Sequence, residues 1–218
     1  MNLLKYDLYI LDYDGCLLDS MPMWRTSASD FIKNLGLIPK EDLDERIPIF
    51  TNRECGVLLK EECNLENDIN SIMERINEFV DTNYPKVPLK DGAIEILEKL
   101  KKNNKKVVLL SASGNHILNL SLNSKGIKNY FFEVISIYNH ETLSKVTGSA
   151  ITYVMEKYNC NCNNTLIIDD TLSTILSAKK LGVDSIAIYD EYSSNGKEDL
   201  LKENANLYLT LDKLNKMF

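Results

Sequence analysis

The chain has 218 residues, 44% of them hydrophobic, and a formal net charge of −7. A domain of this size buries roughly 70% of the surface its unfolded chain exposes, so it needs no disulfide or metal staple to fold. The acidic balance argues against nucleic acid and against anionic membranes, both of which ask for a basic face, and an acidic protein that handles phosphate has to bring a cation of its own.

The five cysteines, Cys16, Cys55, Cys63, Cys160 and Cys162, are odd in number and irregular in spacing. They read as free thiols in a reducing compartment. The first apolar run is too short for a signal segment, and no run approaches the about 20 apolar residues of a membrane span. The expected setting is the cytoplasm, and the expected state a monomer or weak homodimer.

In chain order, Leu8 to Leu11 is an apolar run closed by Asp12, Asp14 and Gly15, the pattern of a buried strand that ends in a loop. From about Met21 to Tyr84 no strand is predicted. Trp24 to Leu35 and Ile69 to Val80 read as amphipathic helices, with shorter helical pieces near Glu54 to Glu62. Alternation then begins. A helix over Ala93 to Lys102 precedes a strand at Val107 to Leu110 that ends in Ser111-Ala112-Ser113-Gly114. A helix from Ile117 to Lys125 stops at Gly126, and a third strand falls within Phe131 to Ile137. A helix over Ser149 to Tyr158 leads to a fourth strand, Thr165 to Ile168, that ends in Asp169-Asp170-Thr171. A helix from Thr174 to Leu181 stops at Gly182, and the fifth strand runs from Ser185 to Tyr189.

Strands alternating with helices of about ten residues indicate parallel βαβ units, so the predicted fold class is α/β: a Rossmann-like parallel sheet core carrying an inserted all-α domain. The expected boundaries are 1–18 and 86–218 for the core and 19–85 for the insertion. In such a sheet, ligands bind beyond the carboxyl ends of the strands. The first, second and fourth strands deliver Asp12 and Asp14, Ser111, and Asp169 and Asp170 to that edge. Carboxylates crowded there repel one another and are driven to bind protons or a cation. Mg²⁺, which prefers carboxylate oxygens and retained water, is the expected cation.

Asp12-Tyr13-Asp14-Gly15 after an apolar strand resembles the first motif of the haloacid dehalogenase-like superfamily. Leu109-Leu110-Ser111-Ala112-Ser113 resembles its second motif, and Lys145 lies in the interval of its third. Ile167-Ile168-Asp169-Asp170-Thr171, followed by Ala178 to Gly182, resembles its fourth. The resemblance covers nearly the whole chain and points to the phosphoglycolate phosphatase and β-phosphoglucomutase branch, whose helical cap lies between the first and second motifs.

The resemblance implies that Asp12 is the nucleophile that becomes phosphorylated and that Asp14 is the general acid and base. It implies that Ser111, Ala112 and Lys145 bind phosphate. Lys145 is followed by Val146 where the family usually has Pro, which leaves Lys125 and Lys128 as alternatives. The implied metal ligands are Asp12, the Asp14 carbonyl, Asp169 and Asp170. Arg53, in Thr51-Asn52-Arg53-Glu54, is a candidate for an anionic group of the substrate; an exposed Arg at a helix start is an alternative of at least the same weight. The implied activity is hydrolysis of a small phosphorylated metabolite through an aspartyl-phosphate intermediate with Mg²⁺. The alternative is a sugar-phosphate mutase, against which stands Trp24 in a stretch, Ser20 to Arg25, where that branch carries a His.

Overall fold

A computed structural model describes residues 2–47, 50–138 and 140–218. The elements run β1 (Leu8–Leu11), α1 (Met21–Asn34), α2 (Leu43–Arg46), α3 (Arg53–Glu62) and α4 (Ile69–Asn83). They continue as α5 (Ala93–Lys102), β2 (Lys106–Ser111), α6 (Asn115–Ser124), β3 (Glu133–Ser136), α7 (Ser149–Lys157) and β4 (Thr165–Asp169). The last are α8 (Leu172–Leu181), β5 (Asp184–Ile188), α9 (Glu198–Asn204), β6 (Leu207–Leu209) and α10 (Leu211–Asn215). None of the helices among the described residues is long and apolar enough to cross a membrane.

The chain divides into two compact units, Met1–Asp19 with Pro88–Phe218, and Ser20–Val87. The division falls one or two residues later than the expected boundaries. Leu18 bridges Leu89, and the Asp19 N–H donates to the Pro88 carbonyl, which binds both chain crossings to the sheet unit.

The sheet is six-stranded and parallel throughout, in the order β3-β2-β1-β4-β5-β6. All four residues of β1 are buried, as a central strand covered on both faces requires. Alternate residues point to opposite faces. Leu8 and Ile10 join Val108, Leu110, Ile167, Ile151 and Val154 in one core cluster. Each such aliphatic side chain contributes roughly 1.5–3 kcal/mol by leaving water. The order reverses direction at β1, so the switch point, where a cleft opens, lies between β1 and β4.

Gly92 caps the start of α5 with φ +90°, a left-handed conformation that side chains resist. A Cβ there would stand 3.1 Å from the Asp212 Cα and 3.0 Å from the Asn215 Cβ. Gly92→Ala is expected to cost about 2 kcal/mol, lowering the melting temperature by about 5 °C. An unchanged melting curve would show that α10 yields without penalty.

The helical unit has its own core. Phe31, Phe50 and Phe79 meet edge to face at centroid distances of 5.8–5.9 Å. Ile72, Ile76 and Val80, spaced by four, form the buried face of α4. The Asp68 carboxylate caps that helix by accepting from the N–H groups of Asn70 and Ser71.

Candidate active site

Past the last residue of β1, the Asp12 N–H still donates to the Ile168 carbonyl at 2.9 Å. The ladder therefore fixes the Asp12 backbone beside the end of β4. The chain then turns sharply. The N–H groups of Cys16, Leu17 and Leu18 all point at the Tyr13 carbonyl, and Gly15 takes φ +74°. The Tyr13 hydroxyl is buried against Ser121 Oγ at 2.7 Å. This turn sends the Asp14 side chain towards the end of β2, where the Ser113 hydroxyl donates to its Oδ2 at 2.6 Å.

Lys145 sits in the turn before α7. Gly148 N–H closes that turn onto the Lys145 carbonyl, and the Ser177 hydroxyl of α8 anchors it through Val146 O. The ammonium donates to Asp12 Oδ1 and, at 2.8 Å, to Asp169 Oδ2. The other Asp169 oxygen accepts from the Thr171 N–H at 2.9 Å and the Thr171 hydroxyl at 2.6 Å. Both Asp170 oxygens, by contrast, are buried without a hydrogen-bond partner. Oxygens of Asp12, Asp169 and Asp170 all lie within 4.8 Å of one another.

Burial raises the Asp12 carboxyl to about 7, with Asp169 pushing the same way against the lowering effect of Lys145. Burial, then Asp12 and Asp169, holds Asp170 well above the usual carboxylate range. Lys145 is driven up by Asp12 and Asp169 in spite of its burial. A cluster of three acids and one ammonium is short of positive charge, and the bare Asp170 carboxylate is a pair of hard oxygen donors with nothing to bind. This donor set fits a hard divalent cation such as Mg²⁺.

A stability consequence follows. The unfolded chain ionises such a carboxyl near its ordinary 3.8, whereas folded Asp12 keeps its proton to about 7. Without metal, folding weakens as the pH climbs through that interval, and Asp170 acts in the same sense. Mg²⁺ is therefore expected to raise the melting temperature more at about pH 7.5 than at about pH 5. Differential scanning fluorimetry reads this directly, and an equal rise at both pH values would contradict it.

The structure thus brings Asp12, Asp14, Asp169, Asp170 and Lys145 to one sheet edge, with Lys145 rather than Lys125 or Lys128 beside Asp12. Ser111 is buried at the end of β2, and its Oγ accepts the Ser113 N–H at 3.0 Å. Ala112 is exposed in the turn that follows. Arg53 belongs to the helical unit, opens α3 and donates to Asn70 Oδ1 at 3.0 Å. Trp24 packs its ring on Tyr84 within that unit. Ser113 and Thr171 were not singled out from the sequence; a hydroxyl one or two residues beyond a strand-end acid or Ser is the signal that marks them.

The family model for haloacid dehalogenase-like hydrolases matches residues 9–188. A phosphoglycolate phosphatase of Pseudomonas fluorescens is 23% identical over 93% of this chain and 75% of its own. A phosphorylated carbohydrates phosphatase of Thermotoga maritima is 24% identical over 81% and 82%. A Thermotoga maritima crystal structure named for β-phosphoglucomutase superposes with a TM-score of 0.83 at 20% identity, covering 96% of this chain and 97% of that one.

Proposed function

The chain belongs to the haloacid dehalogenase-like hydrolases, and from that premise we propose that it removes phosphate from a small phosphorylated metabolite through an aspartyl-phosphate on Asp12. The observation that carries this reading is the convergence of Asp12, Asp169, Asp170 and Lys145 at the switch point of the sheet.

The Asp12 carboxylate attacks phosphorus as the bond from phosphorus to the ester oxygen breaks. Asp14, oriented by the Ser113 hydroxyl, gives its proton to that oxygen, and the alcohol leaves. Asp14 then takes a proton from water, whose oxygen attacks the same phosphorus. The bond to Asp12 breaks, inorganic phosphate departs and the carboxylate is restored. The Ser111 hydroxyl, the Ala112 N–H and the Lys145 ammonium bind the phosphoryl oxygens. Arg53 is proposed to pair with a further anionic group of the substrate.

Asp12, the Asp14 carbonyl and Asp170 would hold Mg²⁺. Asp169 already accepts three hydrogen bonds, so its first task is to hold Lys145, with one lone pair left for the metal. Mg²⁺, when bound, neutralises charge on the transferring phosphoryl group.

The test is release of inorganic phosphate from a panel that spans phosphoglycolate and sugar phosphates, with and without Mg²⁺. Mg²⁺-dependent turnover of a subset supports the reading, and no turnover of any member overturns it. The adjacent Asp169 and Asp170, together with the likeness to the structure named for β-phosphoglucomutase, favour a second reading, phosphoryl transfer within a sugar phosphate. Conversion of β-glucose 1-phosphate to glucose 6-phosphate without phosphate release would establish it.

A further inference from the structure

Helix α8 departs from the usual pattern at its start. Thr171 is its N-cap, a place where a threonine hydroxyl ordinarily accepts a backbone N–H of the first turn and stabilises the helix. The Thr171 hydroxyl makes no such cap. It donates instead to Asp169 Oδ1 at 2.6 Å, ahead of the helix. Its one proton is engaged there, so Thr174 is the donor in the 2.8 Å contact between the two threonine hydroxyls. Thr174 is buried, and its hydroxyl faces Thr171 rather than water. A local rule broken in this way asks for a reason outside the helix.

The reason lies on the other oxygen of Asp169. Oδ2 accepts the Lys145 ammonium at 2.8 Å, and the same ammonium donates to Asp12 Oδ1. The terminal torsion of an aspartate is soft. Here Oδ1 is held by two donors of one residue, the Thr171 N–H at 2.9 Å and its hydroxyl, which leaves Oδ2 a single place to stand. An unbroken chain of hydrogen bonds thus runs from Thr174 through Thr171, Asp169 and Lys145 to Asp12.

The same helix grips the backbone of that lysine. One turn beyond Thr174, the buried Ser177 hydroxyl donates to the Val146 carbonyl at 2.6 Å. Gly148, at φ +81°, brings the Lys145 turn so close to α8 that a Cβ would stand 3.0 Å from Leu181 Cδ1. Thr171, Thr174 and Ser177 recur every third residue, so they share one side of the helix. A lysine is a point charge on a flexible stem. Its charge serves a reacting group well only when its neighbours fix it.

We propose that Thr171, Thr174 and Ser177 are positioning residues for Lys145: Ser177 holds its turn, and the two threonines hold Asp169 so that the ammonium is set against Asp12 before substrate arrives. This rests on the roles given to Asp12 and Lys145 under Proposed function and adds to them three hydroxyls of one helix that touch neither substrate nor ion.

The test has two readouts. The first is kcat/KM for p-nitrophenyl phosphate with Mg²⁺. Thr171→Val, which keeps the shape and deletes the hydroxyl, is expected to lose about tenfold, and Thr171→Ser to restore most of it. In the Lys145→Met background the same Thr171→Val change is expected to cost less than about twofold, because the group it positions is gone. Equal losses in both backgrounds would mark a merely structural role and overturn the proposal. The second readout needs neither metal nor turnover. In a spectrum of the chain carrying ¹⁵N-lysine, the Lys145 ammonium, identified by its loss in Lys145→Met, is expected to give a sharp signal that broadens in Thr171→Val and Ser177→Ala and returns in Thr171→Ser. A signal absent from the wild type, or unchanged in the variants, would overturn the proposal. Should Thr171→Val fail to fold, Thr174→Val decides by the same measurements. A wild type that holds the ammonium but hydrolyses nothing removes the phosphatase reading, whereas an active wild type with indifferent variants removes only the positioning role.

Discussion

Asp12→Asn is expected to purify folded and to hydrolyse p-nitrophenyl phosphate at least about 10⁴-fold more slowly than the wild type. An amide oxygen does not displace an alkoxide from phosphorus, whereas the backbone that holds residue 12 stays in its ladder with Ile168. Lys145 keeps Asp169 as a partner, so no buried ammonium is orphaned. The substitution also removes a carboxyl whose burial raises its pKa, so the metal-free melting temperature is expected to hold or rise. Substantial turnover by the folded variant would place the nucleophile elsewhere.

Lys145→Met should fail in a different way. It deletes the ammonium that Asp12 and Asp169 share, leaving two carboxylates face to face in a buried site. A loss of about 10²–10³-fold in kcat/KM is expected from the missing charge on the phosphoryl group. Breaking a buried ion pair from one side commonly costs about 3–5 kcal/mol, and here Asp12, whose carboxyl burial already raises to about 7, softens that loss by taking up a proton. The destabilisation should therefore be smaller at about pH 5 than at about pH 8. Lys145 itself stays charged across that range because its pKa is raised, so the pH dependence comes from the carboxyl side of the pair, with Asp12 leading. Thermal melting of both proteins at the two pH values measures it, and a pH-independent difference would contradict it.

Much of the sheet was legible because its central strands are covered on both sides. Leu8–Leu11 and Thr165–Asp169 are unbroken buried runs, and such runs are visible without knowledge of what lies beside them. β6 was not anticipated. Its three residues are only half-buried at the sheet edge, so neither a run nor an alternation marks it, and the short α9 and α10 around it have no long apolar face. The acids at the strand ends could be read as a group from parallel topology alone. What joins them could not: Lys145 reaches Asp12 across 133 residues and Lys90 reaches Asp190 across 100, and no local pattern encodes such distances. The chain turn from Tyr13 to Leu18 also separates two acids that strand alternation would aim alike. Asp12 meets Lys145, and Asp14 meets Ser113.

The bridge between Leu18 and Leu89, with the bond from Asp19 to Pro88, means that sixty-eight residues leave the sheet and come back at almost the same point. Cut there, the two stumps are already neighbours, and a short turn could join them with little loss of entropy. The helical segment is in this sense a cassette: its length and content are uncoupled from every strand pairing, because both of its ends are already joined on the sheet side.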